Sequence, residues 1–239
     1  MTDVTRCILY EDKHIIVCRK RAGLPVQHRN TAVMDLESML RNHLAESGTP
    51  EALKRGEAPY LAVVHRLDQP VEGVMVFAKT RKAAADLSRQ LQDGGASKEY
   101  LALVSHCPYS ESGEWHMLRD FMLRDGRTNT SRIVPEGTPG AKEARLAFRI
   151  IKENVLAGGG AGTLLMIRLE TGRHHQIRVQ LSSAGMPIIG DRKYGSGDKA
   201  GENTEAQGLC LAAWRLTFRH PATGKQMAFE QKPVFCNLP

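Results

Sequence analysis

Asp68 is the residue whose neighbours best equip it for chemistry. It closes His65-Arg66-Leu67-Asp68, is followed by Gln69-Pro70-Val71-Glu72-Gly73, and leads into the apolar run Val74-Met75-Val76-Phe77-Ala78-Lys79. A carboxylate at a turn directly before a buried strand is held rigidly, and the flanking cation, Pro and Gly shape its backbone. The pattern alone is weak, because an Asp before a Pro-containing turn is most often a turn residue accepting backbone hydrogen bonds. His174 and His175 invite a metal reading, but adjacent residues on a helix point about 100° apart and do not converge on one ion. No Walker-type loop or cluster of metal ligands is visible in the sequence.

The segment Thr171-Gly172-Arg173-His174-His175-Gln176-Ile177-Arg178-Val179-Gln180-Leu181 runs on through Gly185-Met186-Pro187-Ile188-Ile189-Gly190-Asp191 to Tyr194-Gly195. Together with the Asp68 segment it resembles the signature regions of the RluA-type pseudouridine synthases. These show HRLD before a turn and an apolar strand, then GRxHQIR, a helix, and a G-x-P-(I/L)-x-G-D stretch ending in YG. Lys20-Arg21-Ala22-Gly23-Leu24-Pro25 is similar to the family's K-x-x-G-L-P turn, and Lys98-Glu99-Tyr100 to its K-x-Y element. The likeness runs from about Ile8 to Pro233, with four motifs in the family's order.

The resemblance implies an isomerase. The bond from ribose C1′ to N1 of uridine breaks, the uracil turns over, and C5 bonds to C1′. Nothing is oxidised or reduced, so no cofactor is expected. Asp68 is the candidate to attack or stabilise C1′. Arg178 matches the family's second Arg, which lies against the catalytic Asp; a guanidinium stays charged when buried and binds both carboxylate oxygens. Tyr100 matches the Tyr that packs on the uracil and serves as base or proton relay, offering a flat face and a hydroxyl. The target base must leave its stack, which is least costly in loops or at weak pairs. Arg66 is the candidate to hold the backbone or fill the vacated space, and Arg173, Lys20 and Arg192 are candidate phosphate contacts.

The sequence departs from the family in three places. Val71-Glu72 stands where a small hydroxyl pair is usual, adding a negative charge near the cleft rim. Leu211-Ala212-Ala213 lacks a His often found near the last strand. The chain begins directly with the catalytic fold, so no N-terminal accessory RNA-binding domain is expected and residues 1–239 read as one catalytic domain.

Composition agrees. The chain has 239 residues, 41% hydrophobic, enough to bury a sizeable core. A net charge of +7 favours a polyanionic partner, since each neutralised phosphate releases counterions. The expected partner is RNA, ribosomal or transfer. Five scattered cysteines with no CxxC pair suggest neither a disulfide framework nor a zinc site, and fit the cytoplasm. There is no signal-like N-terminus and no apolar run long enough to span a bilayer. A monomer is expected.

The elements that must position these residues follow from periodicity. Short strands are expected at Ile8–Tyr10 and His14–Cys18, and a helix carrying Met34, Leu36, Met39, Leu40 and Leu44. Gly73–Lys79 reads as a strand. Thr80 caps a helix ended by Gly94-Gly95, and Tyr100 opens the strand Leu101–Val104. Residues 124–142 read as an exposed strand-loop excursion, and Ala144–Ile151 and Thr163–Leu169 as antiparallel partners about a flexible Gly158–Gly162 turn. A helix is expected from near His174 to Gly185, then a polar loop over 198–207, and strands at Leu209–Phe218 and Gln226–Phe229. The fold class is α/β (α+β): a mixed, mostly antiparallel, bent central sheet with flanking helices and loops.

Two other functions are compatible with such a chain. One is a catalytically silent RNA-binding or ribosome-assembly factor on the same fold, which need not keep Asp68, Tyr100 and Arg178 together. The other takes His65 and Asp68 as acid and base of a phosphodiesterase, and predicts metal dependence or strand cleavage.

Overall fold

The computed structural model describes residues 4–30, 32–47, 58–109, 113–157, 160–195 and 208–235. They belong to two compact units, residues 1–97 with 215–231 and residues 98–214 with 232–239. Three α-helices and eleven strands are found among the described residues, an α/β fold.

In the first unit β1 (Ile8–Glu11) and β2 (Ile15–Lys20) form a hairpin, and β2 pairs antiparallel with β4 (Glu72–Ala78). The short β3 (Ala62–Val63) also pairs with β4. Every residue of β4 is buried, as its unbroken apolar run predicts for a central strand. Ile15, Val17, Val74, Val76, Leu87, Leu216 and Phe218 form the core of this unit. The register sets Lys20 opposite Gly73, at the end of β2 beside the turn that carries Asp68. Gly73 has φ 139°, a conformation few side chains adopt, which gives that position its glycine.

Two helices cover this unit. α1 (Leu36–Glu46) begins at Asp35, whose side chain accepts from the Ser38 N–H, so Met34 lies outside the helix and is 59% exposed. α2 (Arg81–Asp93) is capped by Thr80, whose Oγ1 accepts from Ala83, and ends at Gly94.

In the second unit β5 (Ser97–Val104), β9 (Gly160–Leu169), β8 (Lys142–Ala157), β6 (His116–Asp125) and β7 (Thr130–Val134) follow one another in that order, each pairing antiparallel. β5 starts before Tyr100 rather than at it, and β9 already begins at Gly160, within the run read as a turn. The excursion at 124–142 is in part a regular hairpin, β6–β7, whose strand β6 has no clean alternation of apolar and polar residues. α3 (Gln176–Ser183) contributes Val179 to a small cluster with Met122 and Ala144. β10 (Leu211–Arg219) passes from the second unit into the first and forms a hairpin with β11 (Gln226–Glu230). Residues 198–207, read as a polar loop, lie outside the described residues.

Candidate active site

The Asp68 turn is built by the first unit alone. The Val71 N–H donates to the Asp68 carbonyl at 3.0 Å, closing a four-residue turn with Pro70 inside it. The next carbonyl, that of Gln69, accepts from the Gly23 N–H at 2.9 Å and from Lys20 Nζ at 2.9 Å. Gln69 Nε2 donates back to the Gly23 carbonyl at 3.0 Å. The K-x-x-G-L-P segment and the HRLD turn are thus stitched together beside the carboxylate. Leu67 and Val71 on either side are buried, while Arg66 is exposed.

Lys20 overturns its assignment as a phosphate contact. It is fully buried, and its ammonium donates to the carbonyls of Arg21 (3.0 Å), Leu24 (2.8 Å) and Gln69 (2.9 Å). Three acceptors take the three protons of an ammonium, leaving none for a phosphate. Burial lowers the Lys20 amine to about 8, while the Asp68 and Glu72 carboxylates act to raise it. Glu72 is itself buried and meets Arg19 at 2.9 Å, so its charge is paired rather than displayed. His65 Nε2 accepts the Val76 N–H at 3.1 Å.

The second unit holds Tyr100 and Arg178. Tyr100 lies on β5 opposite Ile167 of β9 and is 6% exposed. Its neighbour Glu99 pairs with Arg168 at 2.7 Å, and the Arg168 guanidinium lies 4.4 Å from the Trp115 ring centroid. Arg178 is 5% exposed and forms a two-pronged fork with Asp191, from Nε to Oδ2 and from Nη2 to Oδ1, each at 2.7 Å. Burial acts to raise the Asp191 carboxyl, but the Arg178 fork and the backbone N–H groups of Lys193 and Tyr194 outweigh it and hold it low.

His174 and His175 do not start the helix as regular residues. His175 precedes α3 with a left-handed φ of 55°, and the two rings stack with centroids 3.7 Å apart. Protein groups engage them: His174 Nδ1 meets Ser131 Oγ at 2.9 Å, its Nε2 meets Asn129 Oδ1 at 3.1 Å, and His175 Nδ1 meets the Tyr194 hydroxyl at 2.7 Å. Burial, with Arg178 and Lys193 nearby, lowers His175 to about 4, so it is neutral at physiological pH. Arg173 donates through Nε to the Glu143 carbonyl at 2.8 Å, which ties it to β8; Arg192 is exposed.

Asp191 was not singled out by reasoning on the sequence, although it stands in the quoted G-D segment. Its signal is an Asp whose backbone turn sits close behind a helix carrying a buried cation, and that is visible only once both are folded.

The family model for RNA pseudouridylate synthase matches residues 14–183, most of the chain. The chain belongs to the RNA pseudouridylate synthase family. The ribosomal large subunit pseudouridine synthase D of Nitrosomonas europaea is 35% identical over 93% of this chain and 60% of its own. The ribosomal large subunit pseudouridine synthase C of Escherichia coli is 36% identical over 93% of this chain and 65% of its own. The chain therefore spans somewhat under two thirds of the length of these two curated relatives. Among solved structures, human RNA pseudouridylate synthase domain containing 1 and 4 superpose with TM-scores of 0.72 and 0.71 at 22% and 24% identity, over 95% and 97% of this chain and 83% and 90% of theirs, which supports the synthase fold. No described helix of this pseudouridylate synthase family member is long and apolar enough to cross a membrane.

Proposed function

We propose that this chain is an RNA pseudouridine synthase that converts specific uridines of ribosomal RNA without a cofactor. The observation that carries the reading is the Asp68 turn: a carboxylate whose adjoining carbonyl is clamped by the buried Lys20 ammonium and by Gly23, in a chain of this family. The names of the curated relatives support ribosomal RNA as the substrate class; transfer RNA is the alternative. The chain works in the cytoplasm as a monomer.

In this reading Asp68 acts at C1′ of the flipped uridine as the C1′–N1 bond breaks. The pyrimidine rotates, C5 bonds to C1′, and the C5 proton leaves while N1 gains one, so the product is an isomer of the substrate. Arg178 is the second catalytic group of this reading, a guanidinium that stays charged when buried and is suited to keeping a carboxylate ionised where water is scarce. Tyr100 packs on the uracil and accepts or relays the C5 proton. Arg66, Arg173 and Arg192 contact the RNA backbone. Arg66 and Arg192 are exposed, as that role requires, whereas Arg173 would reach a phosphate through its terminal nitrogens, its Nε being engaged.

The test is a pseudouridine map of total RNA from a strain lacking this gene, rescued by wild type or by Asp68→Ala. A site that disappears and returns only with wild type supports the reading and names the substrate. Equal rescue by both versions would favour an RNA-binding factor instead.

A further inference from the structure

Arg178 occupies an unfavourable place for a cation. It is the third residue of α3, within the first turn, where the helix presents its partial positive charge, and it is almost fully buried. Simple neutralisation would need one carboxylate oxygen nearby. The structure provides much more. Both Asp191 oxygens are engaged, so the plane of the guanidinium is fixed. Oδ1 also accepts the Lys193 N–H at 2.9 Å and the Tyr194 N–H at 3.1 Å, so the carboxylate is fixed by its own turn. That turn is closed by the Gly195 N–H on the Asp191 carbonyl at 2.9 Å. The Tyr194 ring lies 5.1 Å from the Arg178 guanidinium carbon. Its hydroxyl is held by the Ser131 N–H at 2.9 Å and His175 Nδ1 at 2.7 Å.

We propose that Asp191 and Tyr194 are positioning residues that set the orientation of the Arg178 guanidinium for the isomerisation, beyond neutralising it. The proposal rests on the reading of Arg178 given above. Asp191 fixes the plane through the fork, and Tyr194 limits its tilt. Neither residue needs to touch the uridine.

The experiment uses the full chain as wild type, Asp191→Asn, Tyr194→Phe and Arg178→Lys, and the double variant Asp191→Asn/Arg178→Lys. Turnover is measured on the ribosomal RNA transcript that contains the mapped uridine, and the Arg178 Nε–H exchange rate is measured by NMR. Asp191→Asn is expected to lower kcat by about 100-fold, the size of effect that a displaced catalytic group produces, with KM for RNA held. Nε–H exchange should speed up, and in the Arg178→Lys background Asp191→Asn should add little. Tyr194→Phe keeps the ring but loses its anchors, and should show the same changes more weakly, which decides the matter if Asp191→Asn fails to fold. Unchanged kcat and exchange in both single variants would overturn the proposal, as would a kcat loss that adds in full on Arg178→Lys. A wild type that makes no pseudouridine would sink the activity instead, and the exchange rates would still decide whether the guanidinium is clamped.

Discussion

Glu72 and Arg19 meet at 2.9 Å between the paired strands β4 and β2, with the Glu72 side chain 9% exposed and that of Arg19 29% exposed. The pair changes the meaning of the sequence's departure at Val71-Glu72. A carboxylate in place of a small hydroxyl would add charge beside Asp68, but Arg19 balances it, and Lys20 feels both Asp68 and Glu72. Two carboxylates and two cations therefore share the end of the β2–β4 ladder.

Removing Arg19 takes a hydrogen-bonded cation away from a buried carboxylate. Arg19→Met should destabilise the protein by about 2 kcal/mol, less than for a fully buried pair because Arg19 reaches solvent. Glu72→Gln should restore part of that loss when combined with Arg19→Met. Denaturant melts of the two single variants and the double variant give the coupling directly. Strict additivity would mean that the contact contributes nothing.

Asp68→Asn preserves shape and removes the charge, and with it the nucleophile of the proposed reaction. Its turn is held through the backbone carbonyls of Asp68 and Gln69, which the substitution does not alter. Melting and RNA binding should stay close to wild type while release of label from C5-tritiated uridine in the RNA becomes undetectable. Residual turnover near wild type would remove Asp68 from the chemistry.

The local structure that follows Asp68 was legible in the sequence because each piece is local: a turn, a strand and a cap in direct succession. Thr80 and Gly94 bracket α2 as their types demand, and the apolar run after Gly73 became a buried strand. What failed was whatever depends on residues far apart. Lys20 looks like any surface cation until β2 pairs with β4 and brings its ammonium to carbonyls on two separate turns. His175 was expected inside a helix starting near His174, yet it precedes the helix in a left-handed conformation with its ring nitrogen on Tyr194. The hairpin β6–β7 was only partly legible, because β6 is largely half-buried or exposed and carries no alternating signal.

Lys20 also sets a pH dependence. Its folded value of about 8 lies below the usual lysine value, so between the two the unfolded chain binds more protons than the folded one. Stability must then rise with pH across that window, because the buried ammonium, penalised below pH 8, becomes a neutral amine. Against Lys20→Met, whose side chain cannot titrate, wild type should gain about 1 kcal/mol or more between pH 7.5 and 9.5. A difference between the two that is flat in pH would show that Lys20 keeps an ordinary value.

Arg178→Ala should cost about 3 kcal/mol near neutral pH, since it leaves the Asp191 carboxylate buried without its cation. The acid side distinguishes this from mere loss of packing. In wild type the Asp191 carboxyl is held low, so its contribution is complete above the unfolded carboxyl value and is lost as pH falls through the folded one. In Arg178→Ala, burial is left to raise that carboxyl, so the variant gains stability relative to wild type as acid protonates Asp191. The two proteins should be furthest apart at neutral pH and converge towards pH 4, followed by urea melts at each pH. Curves that stay parallel down to pH 4 would mean that the fork adds no electrostatic stability, and that Arg178 contributes to the fold through its packing alone.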